Sequence, residues 1–353
     1  MSVGHCFGRL DMMITTTLLL LLTIPCIIYA DCNANLRTIP PELTNAQPVI
    51  GVLSVPVESD DSPCITMSQN NGVSSSCFNS YYFQWIEASG ARAVIVPYDA
   101  NISVINTLLD SVNGFLFTGG NLEQDGLMFN STYMQTALAI YNGILAKNER
   151  GIYIPLHGTC QGFQILSLLT SMNQSILEYD AFDSENYSIP LDITQDGHHS
   201  SRLFSANFAP SNIVNIFMTE NVTMNLHHDG ITPDSFYQDP NLPLFYVLAS
   251  TNVDRQGKLF ISTIEAWNYP ITATQWHPER PSFEWKQGMN LPHSSDAILA
   301  NAYIGQFFIT DARRNNQTFT DLTLWSYLSV YSYPLINGPG GAFSGSRWLV
   351  VDW

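Results

Sequence analysis

From about residue 45 to residue 170 the chain alternates short β-branched apolar runs with helix-patterned segments. Val49 to Val55 reads as a buried strand, Tyr82 to Ser89 as a helix closed by Gly90, and Ala93 to Pro97 as a second strand. Ile105 to Val112 is helical. Gly114 to Phe117 is a third strand ending at Gly119-Gly120, Met134 to Lys147 is helical, Ile152 to His157 is a fourth strand, and Phe163 to Leu169 begins a helix. Such alternation predicts an α/β fold, a three-layer sandwich with a mostly parallel central sheet. In such a sheet the active site lies beyond the carboxyl ends of the strands. Residues 176–245 are less regular. Phe245 to Ser250, Leu259 to Glu265 and Ile271 to Gln275 then read as strands, and Asp296 to Ala312 as a helix.

The ends read differently. Arg9 precedes an apolar run from Ile14 to Ala30, closed by a small residue before Asp31. That is the layout of a secretory signal peptide over residues 1–30. The alternative is an uncleaved anchor helix, for which the run is short. A signal peptide implies a secreted, lysosomal or vacuolar protein. Six N-x-S/T sequons agree with secretion, but a chain this rich in Asn, Ser and Thr would carry about that many by chance. The expected divisions are 1–30 as leader, 31–320 as one domain, and 321–353 as a peripheral C-terminal extension. Four cysteines would remain after cleavage: Cys32, Cys64, Cys77 and Cys160. Cys64 and Cys77 bracket a polar loop and could pair; equally, all four could be free.

Charge narrows the partners. The chain has 13 Lys plus Arg against 30 Asp plus Glu, a formal charge of −17. Broad binding to nucleic acid, or to an anionic membrane surface, is excluded as an expectation. No later stretch is long and apolar enough to span a bilayer.

Two segments carry chemistry. In Pro155-Leu156-His157-Gly158-Thr159-Cys160-Gln161-Gly162-Phe163 a strand runs through G-x-C-x-G into a helix. This is a nucleophile elbow with sulfur in place of oxygen. The helix N-terminus is expected to lower the Cys160 thiol pKa. The amide of Gln161 would face a developing oxyanion. The alternative is a buried structural cysteine in a Gly-rich turn. The second segment is Gln275-Trp276-His277-Pro278-Glu279. Pro278 disfavours helix at His277. In extended chain His277 and Glu279 face one side. A thiol nucleophile needs such an acid/base and a group to orient it. The alternative is a loop histidine beside an exposed glutamate.

Together, G-T-C-Q-G and Q-W-H-P-E resemble the class I glutamine amidotransferase-like superfamily, which has a flavodoxin-like core. Within it the chain resembles the gamma-glutamyl hydrolases, which trim folate poly-γ-glutamates. Pro48 to Leu53, Ser89 to Arg92, Asn113 to Gly120, Phe260 to Thr263 and Gln275 to Trp285 carry the likeness, over about residues 46–318. Glu284-Trp285-Lys286 points to the hydrolases rather than to synthase-linked amidotransferases. The resemblance implies Cys160 as nucleophile, His277 as acid/base and Glu279 as its partner. It implies Gly120 and Gln161 as oxyanion-hole amides, and His227, Tyr82 and Gly119 near the substrate. His227 would donate hydrogen bonds, two of them when protonated at mildly acidic pH, and His228 would matter less. Thr118 departs from the family, where Pro is common. No cofactor and no metal are implied. The partner is a small molecule, a folyl or antifolate poly-γ-glutamate, and a homodimer is left open. Rival readings are hydrolysis of another γ-glutamyl compound, such as γ-glutamyl-GABA, and a catalytically silent secreted binding protein. His198, His199, His227 and His228 lack zinc-type spacing. Arg202 or Arg280 could meet substrate carboxylates or simply serve solubility.

Overall fold

Val49–Leu53 reads VIGVL, and all five residues are buried. A strand apolar on both faces belongs inside a sheet covered on both sides. The structure, a computed structural model, describes residues 40–56, 75–337 and 347–352. The expected leader, Cys32 and Cys64 lie outside the described residues.

In chain order the described strands are β1 (Val49–Leu53), β2 (Val55–Pro56), β3 (Ser75–Asn79), β4 (Arg92–Val96), β5 (Gly114–Phe117), β6 (Leu156–Thr159) and β7 (Ser184–Ile189). They continue with β8 (Asp192–Ile193), β9 (Thr223–His227), β10 (Tyr246–Val253), β11 (Leu259–Ala266), β12 (Ile271–Thr274), β13 (Leu335–Asn337) and β14 (Arg347–Asp352). The central sheet runs β4-β1-β5-β6-β12-β11-β10-β8. Its first five strands are parallel. The last three are antiparallel to their neighbours. Ranked by chain order, the parallel strands lie as 2-1-3-4-5, the flavodoxin-like order. The expected mostly parallel α/β sandwich is what the chain forms.

Alternate residues of β1 serve the two layers. Val49 and Leu53 pack with helices Ile102–Ser111, Thr132–Glu149 and Gln161–Ser171. Ile50 and Val52 pack with helices Ser80–Ala88, Ser211–Thr219 and Ser295–Ala312. Caps set several helix starts. Ser131 accepts from the Met134 amide, so the helix expected from Met134 begins at Thr132. Asn101 and Ser294 cap theirs in the same way.

The fourth strand begins later than its apolar run. Asn148 holds both the N–H and the C=O of Ile154 with its side chain, and Pro155 has no N–H to give. Ladder pairing starts at Leu156 and continues to Thr159, which carries the strand to the elbow.

The irregular stretch contains a small antiparallel sheet, β7 with β9. The segment after residue 320, expected as a peripheral extension, supplies β13 and β14 to a second sheet, ordered β13-β14-β3-β2. Leu349 of β14 is fully buried among the residues of the second apolar layer. The described residues belong to one compact unit. Cys77 on β3 is disulfide-bonded and Cys160 is free, which settles the alternative of four free thiols against it.

Candidate active site

β6 ends at Thr159, and the helix Gln161–Ser171 starts one residue later. Cys160 makes the whole turn alone, at φ 53° and ψ −108°. That is strained backbone for a non-glycine residue, worth about 1–3 kcal/mol, and such strain clusters at functional sites. The flanking glycines explain how the turn fits. A Cβ on Gly158 would lie 2.6 Å from the Gly162 carbonyl oxygen, and one on Gly162 would lie 2.2 Å from that of Phe117. Strand and helix therefore meet backbone to backbone. The Cys160 N–H donates to Thr274 O at 2.7 Å, tying the elbow to β12.

β12 also delivers the second segment. His277 and Glu279 are 2 % and 0 % exposed. His277 Nδ1 lies 2.6 Å from Glu279 Oε1. A carboxylate accepts, so Nδ1 carries the proton and Nε2 keeps its lone pair. The spacing-based expectation that these two face one side is therefore what the structure has. Glu279 Oε2 has no hydrogen-bond partner among the described residues, and Arg280 Nε approaches Oε1 at 3.7 Å.

Gly119 is where these parts meet. A Cβ built there would lie 3.0 Å from His277 Cε1, 3.3 Å from Cys160 Cβ and 2.6 Å from Tyr82 Oη. The Gly119 N–H donates to the buried Tyr82 hydroxyl at 2.8 Å. Tyr82 thus fixes the loop that carries Gly120. The other side of that loop is held by Gln161, whose side chain bonds both the N–H and the C=O of Leu122. Gly120, Gln161, Cys160 and His227 line one pocket.

The thiol itself corrects an expectation. Burial pushes the Cys160 pKa up to about 12, although Arg280 and the Gln161 amide pull it the other way. Sγ lies 3.8 Å from the Leu226 carbonyl, an acceptor for a protonated thiol. Burial also lowers the His277 pKa; Arg280 adds to the drop and Glu279 opposes it. Burial thus favours the neutral thiol and the neutral imidazole, against the lowering expected at the start of a helix.

His227 ends β9 and is 3 % exposed. Its Nδ1 sits 2.9 Å from the Asp229 carbonyl. Burial lowers its pKa to about 3. It is neither a solvated loop residue nor a proton-gaining donor at mildly acidic pH. Its neutral ring turns an acceptor, Nε2, away from Asp229. His228 is half-exposed, 3.6 Å from both Asp180 and Glu185.

The two arginines part company. Arg202 joins Glu265 and Asp311 in a buried network and has a packing role. Arg280 bonds Glu284 at 2.7 Å and lines a neighbouring pocket with Lys286. His198 and His199 lie on the helix Gln195–Ser200. Gln164 carries no role in the sequence reading, and Gln275 enters it only as the first residue of the segment that holds His277. Gln164 Nε2 bonds the Asp229 carbonyl at 3.2 Å and approaches Gln275 Oε1 at 3.4 Å. Their signal was there: a buried amide one helical turn past Cys160, and another two residues before His277. Glu123 and Glu185 line the pocket with no sequence signal.

Residues 48–279 match the model of the peptidase C26 family. Gamma-glutamyl hydrolase B of Dictyostelium discoideum is 33 % identical over 306 residues, 87 % of this chain and 83 % of that protein. Gamma-glutamyl hydrolase 1 of Arabidopsis thaliana is 32 % identical over 271 residues, 77 % and 73 % of the two chains. Human gamma-glutamyl hydrolase is 33 % identical over 264 residues, 74 % and 79 %. An elbow cysteine beside a paired His–Glu is the equipment of a cysteine-type hydrolase, and the chain belongs to the peptidase C26 family, with the gamma-glutamyl hydrolases as its relatives.

Proposed function

We propose that the chain hydrolyses γ-linked glutamyl amide bonds with Cys160 as the nucleophile. The observation that carries this is the strained elbow cysteine converging at Gly119 with a His277 that Glu279 holds at 2.6 Å. His277 Nε2 takes the thiol proton as sulfur attacks the γ-carbonyl carbon. The carbonyl electron pair moves to oxygen, and the amides of Gly120 and Gln161 stabilise that charge. The intermediate collapses, the C–N bond breaks, and the imidazolium protonates the departing nitrogen. A thioester remains on Cys160. His277 then deprotonates water, hydroxide adds to the thioester, and the γ-carboxylate leaves as the thiol is restored. Glu279 holds the tautomer and stabilises the imidazolium. No step calls on a cofactor.

Folyl-poly-γ-glutamates are the substrates that the family likeness supports. One observation favours the second reading, a smaller γ-glutamyl compound such as γ-glutamyl-GABA: the pocket beside Cys160 is lined by Glu123, Glu185 and Asp229, which repel a polyanion. The catalytic residues are all present, which speaks against a silent binding protein. Incubation with folyl-tri-γ-glutamate and with γ-glutamyl-GABA, products sized by mass, tests the proposal. Release of glutamate or GABA by water addition across the γ-amide supports it, and both substrates returning intact would refute it.

A further inference from the structure

Arg280 and Glu284 form a buried charged pair that the mechanism above leaves idle. The Arg280 carbonyl accepts from the Phe283 and Glu284 amides at 3.0 and 2.9 Å. That single helical turn sets Glu284 beside Arg280, since residues four apart share a helix face. Arg280 Nη1 then donates to Glu284 Oε2 at 2.7 Å, with the two side chains 16 % and 3 % exposed. The guanidinium also lies over the Tyr81 ring, 4.8 Å from its centre. A carboxylate and an aromatic face thus hold one cation.

The contact that this cation does not make is informative. Arg280 Nε stops 3.7 Å from Glu279 Oε1, beyond hydrogen-bond length, and although buried it has no hydrogen-bond partner among the described residues. Glu279 Oε1 is left to His277 Nδ1 at 2.6 Å. A guanidinium that bonded Glu279 outright would compete with the imidazole for the carboxylate. Held by Glu284 instead, it acts on the site through its charge. Screening is weak for buried charges, so that action is substantial at this range.

The groups around His277 give the signs. Glu279, Arg280 and Glu284 face it from its own segment, Cys160 from the elbow and His227 from β9. Tyr81 and Tyr82, on the helix Ser80–Ala88, stay neutral because burial raises both. Burial lowers the His277 pKa most; Arg280 adds to the drop, and Glu279 and Glu284 oppose it. At Cys160 burial raises, Arg280 lowers, and Glu279 and Glu185, the latter from β7, raise. The two members of the pair therefore act on His277 in opposite directions.

We propose that Glu284 and Arg280 are positioning residues for the reaction: Glu284 holds the guanidinium at charge range from the Cys160–His277–Glu279 site without letting it take Glu279, and the guanidinium keeps His277 a free base and the thiol reactive in mild acid. The proposal rests on the hydrolase reading above and adds to it the residues that set its pH range.

The test is the pH profile of kcat/KM on folyl-tri-γ-glutamate, read beside the rate at which iodoacetamide alkylates Cys160. Arg280→Gln is expected to move the acid limb up by about one pH unit and to slow alkylation about tenfold at fixed pH. Glu284→Gln is expected to move the limb down. Arg280→Lys keeps the charge while losing the planar fork, and should leave the limb at its wild-type position. The double variant, Arg280→Gln with Glu284→Gln, removes both charges and should lie between the two single ones. The position of a limb does not depend on how much of a sample is folded, so a less stable variant still reports. Limbs that stay in place in both single variants, or that move in the same direction, would overturn the proposal while leaving γ-glutamyl hydrolysis standing. So would an Arg280→Lys limb that follows Arg280→Gln. If the wild type cleaves no γ-glutamyl substrate, the hydrolase reading fails and the alkylation rates decide the pair. Equal rates in wild type and Arg280→Gln then overturn it, and slowing that Arg280→Lys restores upholds it.

Discussion

At the scale of single residues the site is governed by desolvation. Cys160, His277 and Glu279 are buried together, and burial favours the neutral form of both thiol and imidazole. In the proposed mechanism the base for the thiol, His277, is therefore available below the ordinary histidine range. His277 must be neutral to act, and its pKa is lowered, so kcat/KM should hold as pH falls through about 6.5 and decline only below it. Glu279 opposes that lowering. Glu279→Gln removes the opposing charge, so the acid limb should move further down while kcat falls by about 10²–10⁴, as for loss of an orienting carboxylate. A pH–rate profile of wild type and variant checks both signs; an acid limb that moves up in the variant contradicts the account. Cys160 and His277 were legible because their neighbours are distinctive: glycines around the one, Pro278 after the other. The raised thiol pKa was not legible. The sequence announces a helix N-terminus, whereas the depth of burial depends on β9 and β12, which are brought in from far along the chain.

At the scale of elements the elbow is a contact between two backbones. Gly162 stands where a Cβ would lie 2.2 Å from the Phe117 oxygen and 2.8 Å from its carbon. Neither atom can swing aside as a flexible side chain could. Gly162→Ala should therefore push the helix Gln161–Ser171 off β5 and destabilise the protein by at least about 2 kcal/mol. The activity lost at a temperature where the variant is still folded should exceed what a uniform stability loss would give, because Cys160 rides on that helix. Thermal unfolding alongside kcat at low temperature checks this; an alanine variant with wild-type Tm and kcat contradicts it. The parallel strands were readable from apolar runs punctuated by Gly and Pro. The β7–β9 pair was not. Its residues are half polar, its register shifts between Ser184 and Tyr187, and its partners are about 40 residues apart. Glu185 reaches the pocket from that pair, which is why no local pattern flagged it.

At the scale of the whole molecule the formal charge of −17 works against anionic substrates. Long-range repulsion slows the encounter of like charges and is screened by salt. For a poly-γ-glutamate, kcat/KM should rise several-fold as ionic strength goes from about 10 mM to about 150 mM, where the Debye length shrinks from about 30 Å to about 8 Å. A zwitterionic γ-glutamyl compound should show little change. A fall with salt for the polyanion would mean that a local cationic patch, not the global field, governs capture. The second sheet gives the tail a structural place that its Ser- and Gly-rich composition hid, since β14 pairs with a strand more than 250 residues earlier. The central claim is that Cys160 forms a covalent acyl intermediate at this elbow. Its most direct test is acid-quenched mass spectrometry of the protein during turnover of a γ-glutamyl substrate. The expected result is a transient adduct of one acyl unit on the peptide bearing Cys160, absent in Cys160→Ala, which should also lose turnover. A Cys160→Ala protein that still hydrolyses the substrate, or an adduct on any other residue, would contradict the account.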